Sequence, residues 1–412
     1  MTWRAGFAVL CALASAMSTA RAQEGPRTSV SGSLRGGYWS STRSLDREHP
    51  LAAGMAWLKA TGALGRSVSG VAEGWGALRG PADDPHTIVE LREAFVTATL
   101  GAFDLRVGRQ IVAWGRADGV NPTGNLAAED LTVLTPDDAD RRLGASTATA
   151  SYYFGNVAVS ALWVPEFRGH QFPLPRESGA RFIDNRPSWP GDQWAVRIER
   201  TGGAVDWSMS LFGGLDLLPD LAPTTAAGEV AFQHHRLHVF GVDAATTLGR
   251  FGLRAEGAYV QTEDTRGTDP FTKNPFAFVV VGVDRTFDGR YNLNVQYLVR
   301  AVRHHRTPTG LAPEVAPIAE QQAILSGQTR SVQHGASMRA SGKWLHETLE
   351  TEWAAIAYAA PRGIAMRPKV TYAATDRITL SLGAEVFRGQ DASFFRMLRP
   401  NSATFLEARW GF

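Results

Sequence analysis

The sequence predicts an all-β fold: a transmembrane antiparallel β-barrel of about eighteen strands, with sixteen as the alternative count. Three observations carry this reading. Apolar and polar residues alternate with period two from end to end, and few stretches follow the helical period. The connections between alternating segments are short and long by turns. The final segment sets Thr404, Leu406, Ala408, Trp410 and Phe412 on one face and ends on the phenylalanine.

The N-terminal segment differs from the rest. Arg4 is followed by an apolar stretch from Ala5 to Met17, then by small residues at Ala20-Arg21-Ala22. This is the layout of a cleavable export signal over 1–22, which leaves 23–412 as the barrel. The apolar stretch is too short to cross a bilayer as a helix. Cys11 is the only cysteine and lies inside it, so the remainder has no thiol for a disulfide or a thiolate metal site. Arg4 and Arg21 also account for the formal surplus of +2. The remainder is balanced in charge, which argues against a general nucleic-acid binder.

Strands are expected at 28–40, 51–63, 66–78, 88–99, 103–114, 145–153, 157–165, 193–201, 205–213, 236–247, 250–262, 276–288, 290–302, 331–344, 347–359, 363–374, 377–388 and 402–412. After even-numbered strands the turns are tight: Gly65, Gly101-Ala102, Gly155-Asn156, Gly202-Gly203, Gly249, Gly289, His346 and Thr375-Asp376. After odd-numbered strands they are mostly long, the longest at 115–144, 166–192, 214–235 and 303–330. Short periplasmic turns with long external loops are what an outer-membrane barrel needs, and an even strand count leaves both ends periplasmic.

The faces follow from the medium. In lipid, apolar sets such as Tyr291, Leu293, Val295 and Tyr297 must point outward, because a charge at the bilayer midplane costs a few kcal/mol. Trp39, Trp344, Tyr372 and Trp410, near strand ends, suit interfacial girdles. Two strands resist: Glu93 shares a face with Leu91 and Phe95, and Arg109 with Leu105 and Ile111, for which a β-bulge or a lumen-side slip is the explanation.

Parity then turns Arg35, Arg106, Arg197, Arg254, Glu256, Arg339, Lys343, Glu350, Glu352, Arg367, Lys369, Glu385, Glu407 and Arg409 into pore-lining candidates, with Glu199 and Asp206. So many charges cannot stay unpaired in a dry core. Two readings stand: a structural salt-bridge lattice, or a water-filled lumen with a transverse field that selects solutes by charge. The third external loop, 115–143, is the constriction candidate. It carries Arg116, Asp118, Glu129, Asp130, Asp137, Asp138, Asp140, Arg141 and Arg142. Its Val120, Leu126, Leu131 and Val133 need an apolar surface, and the lumen wall is nearest. One helical turn is expected at Ala127 to Leu131.

A terminal phenylalanine behind alternating apolar residues resembles the sorting signal of outer-membrane barrels, with Trp410 and Phe412 as its aromatics. An inward-folded third loop resembles that of porins. Gly108-Arg109-Gln110, Trp114-Gly115, Asn121-Pro122 and Arg141-Arg142-Leu143-Gly144 resemble a narrower group of uncharacterised proteobacterial outer-membrane barrels. Some of these are encoded beside lipid-exporting transporters.

The resulting expectation is an outer-membrane channel of a Gram-negative bacterium for small solutes, anions among them. The alternatives are an export or lipid-handling conduit and, third, a surface receptor or adhesin. Its partners would be membrane lipid and lipopolysaccharide, the barrel-assembly machinery and, for the conduit, an inner-membrane or periplasmic transporter. No cofactor and no metal are expected. His234, His235 and His238 lack a carboxylate at matching spacing, His304-His305 likewise, and Asp137, Asp138 and Asp140 lack a calcium-loop pattern. No nucleophile elbow or phosphate loop occurs, so the reading is not an enzyme. The segment from Pro313 to Leu325 is expected to form a short external helix.

Overall fold

The computed structural model describes residues 27–41, 51–80, 86–133, 135–172, 181–185, 191–226 and 228–412. The expected export signal lies outside them.

Eighteen strands form one closed antiparallel sheet. In chain order they are β1 Arg27–Ser41, β2 Leu51–Leu64, β3 Val68–Gly80, β4 His86–Leu100, β5 Phe103–Gln110, β6 Ala145–Phe154, β7 Val157–Trp163, β8 Trp194–Arg200, β9 Asp206–Leu215, β10 Arg236–Leu248, β11 Phe251–Thr262, β12 Phe276–Phe287, β13 Tyr291–Val302, β14 Val332–Trp344, β15 Leu349–Ala359, β16 Arg362–Ala373, β17 Ile378–Gly389 and β18 Ala403–Gly411. Each strand pairs with its chain neighbours, and β1 closes the ring on β18 from Ser33↔Gly411 to Ser41↔Ala403. Closure removes every free edge, which lipid demands because it cannot hydrogen-bond a bare backbone.

Facing follows the period. Leu34, Tyr38, Val281, Val295, Tyr297, Leu382, Leu406 and Trp410 are exposed on the outer face, while Arg35, Val280, Gln296, Leu298 and Phe405 are buried inside. Trp39 departs from its expected girdle position. It is 1% exposed and stacks inside the barrel on Phe405, with ring centroids 4.5 Å apart. It belongs to the odd-numbered face of β1, with Arg35, and an indole can point inward where another ring covers it.

The resistant strand at 88–99 has a clear cause. The β3–β4 register shifts at Glu73/Gly74, so that Glu73 faces Glu93 and Gly74 faces Leu91, and Arg92 is the extra residue. The bulge turns Arg92 inward without displacing Leu91 from the outer face. β5 stops at Gln110, short of the expected 114. There the Ile111 amide leaves the ladder and donates to Glu93 Oε1 at 3.0 Å.

Outside the barrel ends, the strands Arg181–Asp184, Asp220–Pro223 and Glu229–Gln233 form a small sheet. Helix α1, Ala316–Leu325, packs beside it, where Gln322 Oε1 accepts from the Leu221 amide at 2.7 Å. The helix was legible in the sequence. The sheet was not, since its strands are short and far apart in the chain.

Candidate functional site

The chain from 111 to 144 enters the barrel, and its two limbs bind different sectors of the wall. The first limb meets acidic groups. Glu256 of β11 is 2% exposed. It accepts from the amides of Arg116 at 2.8 Å, Ala117 at 2.9 Å and Thr123 at 2.8 Å, and from Thr123 Oγ1 at 2.8 Å. A buried carboxylate needs such donors, since leaving the charge unpaired would be far costlier. Gly115 permits the approach: its φ is +101°, and a Cβ would stand 2.7 Å from the Glu256 oxygens. Arg116 Nε reaches Asp243 of β10 at 2.6 Å, where Ser208 and Arg197 also converge. Arg197 lies over Trp114 at 5.6 Å.

The second limb reverses the polarity. Here the loop supplies carboxylates and the wall supplies cations. Asp140 pairs with Arg35 of β1 at 2.5 Å, and Asp137 with Lys369 of β16 at 3.4 Å and Arg409 of β18 at 3.7 Å. Asp138 pairs with Arg367 of β16. Arg141 returns the contact to Glu385 of β17 at 2.7 Å. Between the limbs, Arg339 of β14 binds Asp118 at 3.1 Å and Glu352 at 3.0 Å, and comes within 4.0 Å of Asp138.

Apolar packing seats the loop. Val112, Trp114 and Leu126 cover an inner cluster of Leu162, Ala195, Phe212, Leu237, Val239, Ala258 and Val260. Val120 packs on Phe278, Val280 and Leu298, and Val133 on Trp57 and Trp75. The lumen wall does serve as the surface these residues need.

The expected helical turn at Ala127 to Leu131 is a correction. Ala128–Glu129 instead pairs with Arg142–Leu143, and the helical turn is a 3-10 turn at Asp138–Arg141. The reason is competition for backbone partners: Gln171 bonds both Glu129 O and Leu131 N at 2.9 Å, drawing the segment straight. Asp130 serves its own turn, accepting from Thr132 N at 2.9 Å. The Glu129 amide donates to His170 Nδ1 at 3.0 Å. Burial depresses the His170 pKa to about 4, so the ring is neutral and free to accept.

The pore-lining candidates divide into two levels. Arg35, Arg197, Glu256, Arg339, Glu352, Arg367, Lys369, Glu385 and Arg409 touch the loop or a group that does. Arg106, Arg254, Lys343 and Glu350 stand nearer the short-turn end. Arg106 bonds Thr97 Oγ1 at 3.1 Å, Arg254 pairs with Asp284 at 2.9 Å, and Lys343 with Glu347 at 3.1 Å, while Glu350 is exposed. Glu407 lies between Gly37 and Ser381 in register and is part-buried. Trp410 and Phe412 lie on the outer face, their rings 5.3 Å apart.

Several functional groups escaped the sequence reading. Arg92 binds Glu73 at 2.5 Å and the Ala139 carbonyl at 2.6 Å. Arg92 and Arg35 lie on Trp57, each 4.7 Å from its ring centre. Asp243 and Glu73 were legible by strand parity, but Arg92 was hidden by its bulge. The excluded histidines have protein partners: His235 Nδ1 is 2.8 Å from Asp220, and His234 Nδ1 is 2.7 Å from the Asp216 carbonyl.

No protein-family model and no curated protein sequence matches this chain. Solved structures do. One neighbour is Pseudomonas aeruginosa OpdK with vanillate, at 11% identity and a TM-score of 0.56, covering 93% of this chain and 98% of that one. Another is Acinetobacter baumannii OccAB4, at 9% identity and 0.55, covering 94% and 98%. A third is Pseudomonas aeruginosa OccK11 (OpdR), at 11% and 0.54, covering 93% and 96%. At these identities the likeness is one of fold. The chain has the fold of an eighteen-stranded porin-type barrel.

Proposed function

We propose that the protein is a solute-selective channel of a Gram-negative outer membrane, with its short-turn end in the periplasm and the 115–143 segment as its constriction. The carrying observation is the contrast between the two limbs. The first is buried against Glu256 and Asp243. At the second, Asp137, Asp138 and Arg409 keep side-chain exposures of 48%, 57% and 41%. Water therefore reaches the carboxylates of the loop tip and Arg409 of β18, while Arg35, Arg367 and Lys369 stand behind them at 4%, 12% and 17% exposure. A solute there crosses a transverse field between the exposed aspartates and the wall cations, which selects it by charge. Vanillate, present in the OpdK structure, is a suitable first organic probe.

The test is conductance in planar bilayers, with wild type beside Asp137→Asn/Asp138→Asn. Freeing the wall cations should raise conductance and shift the reversal potential toward anions. A variant with unchanged current and selectivity would place the passage elsewhere. A wild type that stays silent even after residues 124–138 are shortened would favour the export-conduit reading, in which the loop is a plug released by an envelope partner.

A further inference from the structure

Arg285 lies on the lipid-facing side of β12, two residues from its short-turn end. Val281, Val283 and Phe287 of β12 are exposed on the outer face, and period two places Arg285 with them. Its guanidinium lies 4.9 Å from the Phe251 ring centre and 4.5 Å from that of Phe287. Among the described residues no carboxylate pairs with it, and its buried Nε has no hydrogen-bond partner. The neighbouring carboxylate, Asp284, is inward and taken by Arg254 at 2.9 Å. At this level of the bilayer a lipid-facing cation costs little, and anionic headgroups are within its reach.

The wall beside Arg285 is hollow. A cleft of about 550 Å³ opens on the outer face at the short-turn end, lined by Phe287, Tyr291, Leu293, Trp344, Trp353 and Val370. Phe287 both stacks on Arg285 and lines the cleft, and Leu293 is the register partner of Arg285, so the cation stands at the cleft's edge. Gly342 also lines it; a Cβ there would meet Tyr291 Cδ1 at 3.1 Å and Trp344 Nε1 at 3.2 Å. Arg250 and Arg290, exposed in the adjoining turns, add positive charge to the same corner.

We propose that this corner binds an anionic glycerophospholipid of the inner leaflet, its phosphate on Arg285 and one acyl chain in the cleft. The guanidinium fork matches phosphate oxygens, and the two phenylalanine rings hold it flat at the interfacial level. An apolar hollow with a cation at its rim suits an amphiphile with an anionic head, and at the short-turn end the surrounding leaflet supplies one. The inference rests on the membrane orientation proposed above but not on conduction.

The experiment uses the full barrel purified in neutral detergent: wild type, Arg285→Gln and Gly342→Leu. Folding is verified for each by heat-modifiable gel mobility. Native mass spectrometry then follows titration with phosphatidylglycerol or phosphatidylcholine. Wild type should retain phosphatidylglycerol about tenfold better than Arg285→Gln and better than it retains phosphatidylcholine. Gly342→Leu, which keeps the cation and fills the cleft, should also lose retention. Excess inorganic phosphate should leave the bound lipid in place; displacement by phosphate would reduce the site to a free-anion site and overturn the proposal. Equal retention by wild type and Arg285→Gln would overturn it as well. If that variant does not fold, equal retention of the two lipids by wild type does the same. Channel current in Arg285→Gln should match wild type; a wild type without current would overturn the conduction reading and leave the lipid result standing.

Discussion

Glu256 concentrates the physics of the site in one side chain. Its two oxygens take three amide hydrogens and one hydroxyl from a loop more than a hundred residues away in sequence. Glu256→Gln keeps the shape and replaces one oxygen with an NH₂ that must face donors. That leaves buried N–H groups unsatisfied, at a cost of roughly 1–3 kcal/mol. Gly115→Ala reaches the same place from the other side, through a forbidden φ and the 2.7 Å contact with the carboxylate. Both variants should lower the temperature of the heat-modifiable gel transition and raise open-channel current noise. Normal values in both would mean that Glu256 does not anchor the loop. The inward direction of Glu256 was readable from strand parity, but its partners were not, because parity says nothing about which loop arrives.

At the scale of elements, the segment after β7 closes over the third loop. Glu166 binds Arg109 at 2.8 Å and Ser146 N at 2.8 Å, Arg168 binds Glu90 at 2.6 Å, and His170 and Gln171 take the Glu129 backbone. His170 makes this clasp sensitive to acid. In the unfolded chain the ring takes up a proton near 6.5; in the folded barrel burial holds it back to about 4. Between these values the unfolded state binds more protons, so His170 subtracts stability as pH falls from about 6.5 toward 4. Below that the ring is charged and can no longer accept from Glu129. The protection of the Glu129 amide against hydrogen exchange, taken relative to the free-peptide rate at each pH, should therefore fall below pH 4, and His170→Gln, which keeps an acceptor, should flatten that dependence. Protection that is unchanged in acid would show that the clasp holds without the histidine. His235 runs the opposite way: its hydrogen bond to Asp220 raises its pKa, so what it adds to the external cap is full at acid pH and is lost as pH rises through the raised value.

For the whole molecule the decisive event is closure. Phe412 shares two backbone hydrogen bonds with Gly32, at 2.9 and 3.0 Å, and its ring lies over that glycine, where a Cβ would come within 2.6 Å of the ring. Yet the side chain is 50% exposed on the outer face. Truncating a buried phenylalanine costs roughly 3–5 kcal/mol, and a half-exposed one should cost less. We propose a larger role for Phe412 in assembly, at the end of a strand that an insertion machinery would recognise. Deleting Phe412 should lower the amount of inserted barrel and leave unfolded chain in the periplasm, while the barrels that do insert keep near-normal heat resistance. Outer-membrane yield and heat-modifiable mobility of wild type, the deletion and Leu406→Ala measure this. An unchanged yield on deletion would leave the terminal aromatic without an assembly role.

The sequence by itself determined the barrel, its strand positions and the facing of most residues. Those properties are local: period two leaves only one face fit for lipid, and a glycine turn ends a strand wherever it stands. What lay beyond it required the closed ring. A bulge in β4 was an open reading of the sequence, but that Arg92 is its extra residue is visible only when the neighbouring register is known. Parity turns Trp39 inward with Arg35, but its cover is Phe405, which closure alone brings beside it. The assignment of Asp118 to Arg339, Asp137 to Lys369 and Asp140 to Arg35 joins residues that share no periodicity. Only the tertiary structure decided it, because each pair depends on where the loop crosses a lumen that exists only after β1 has met β18.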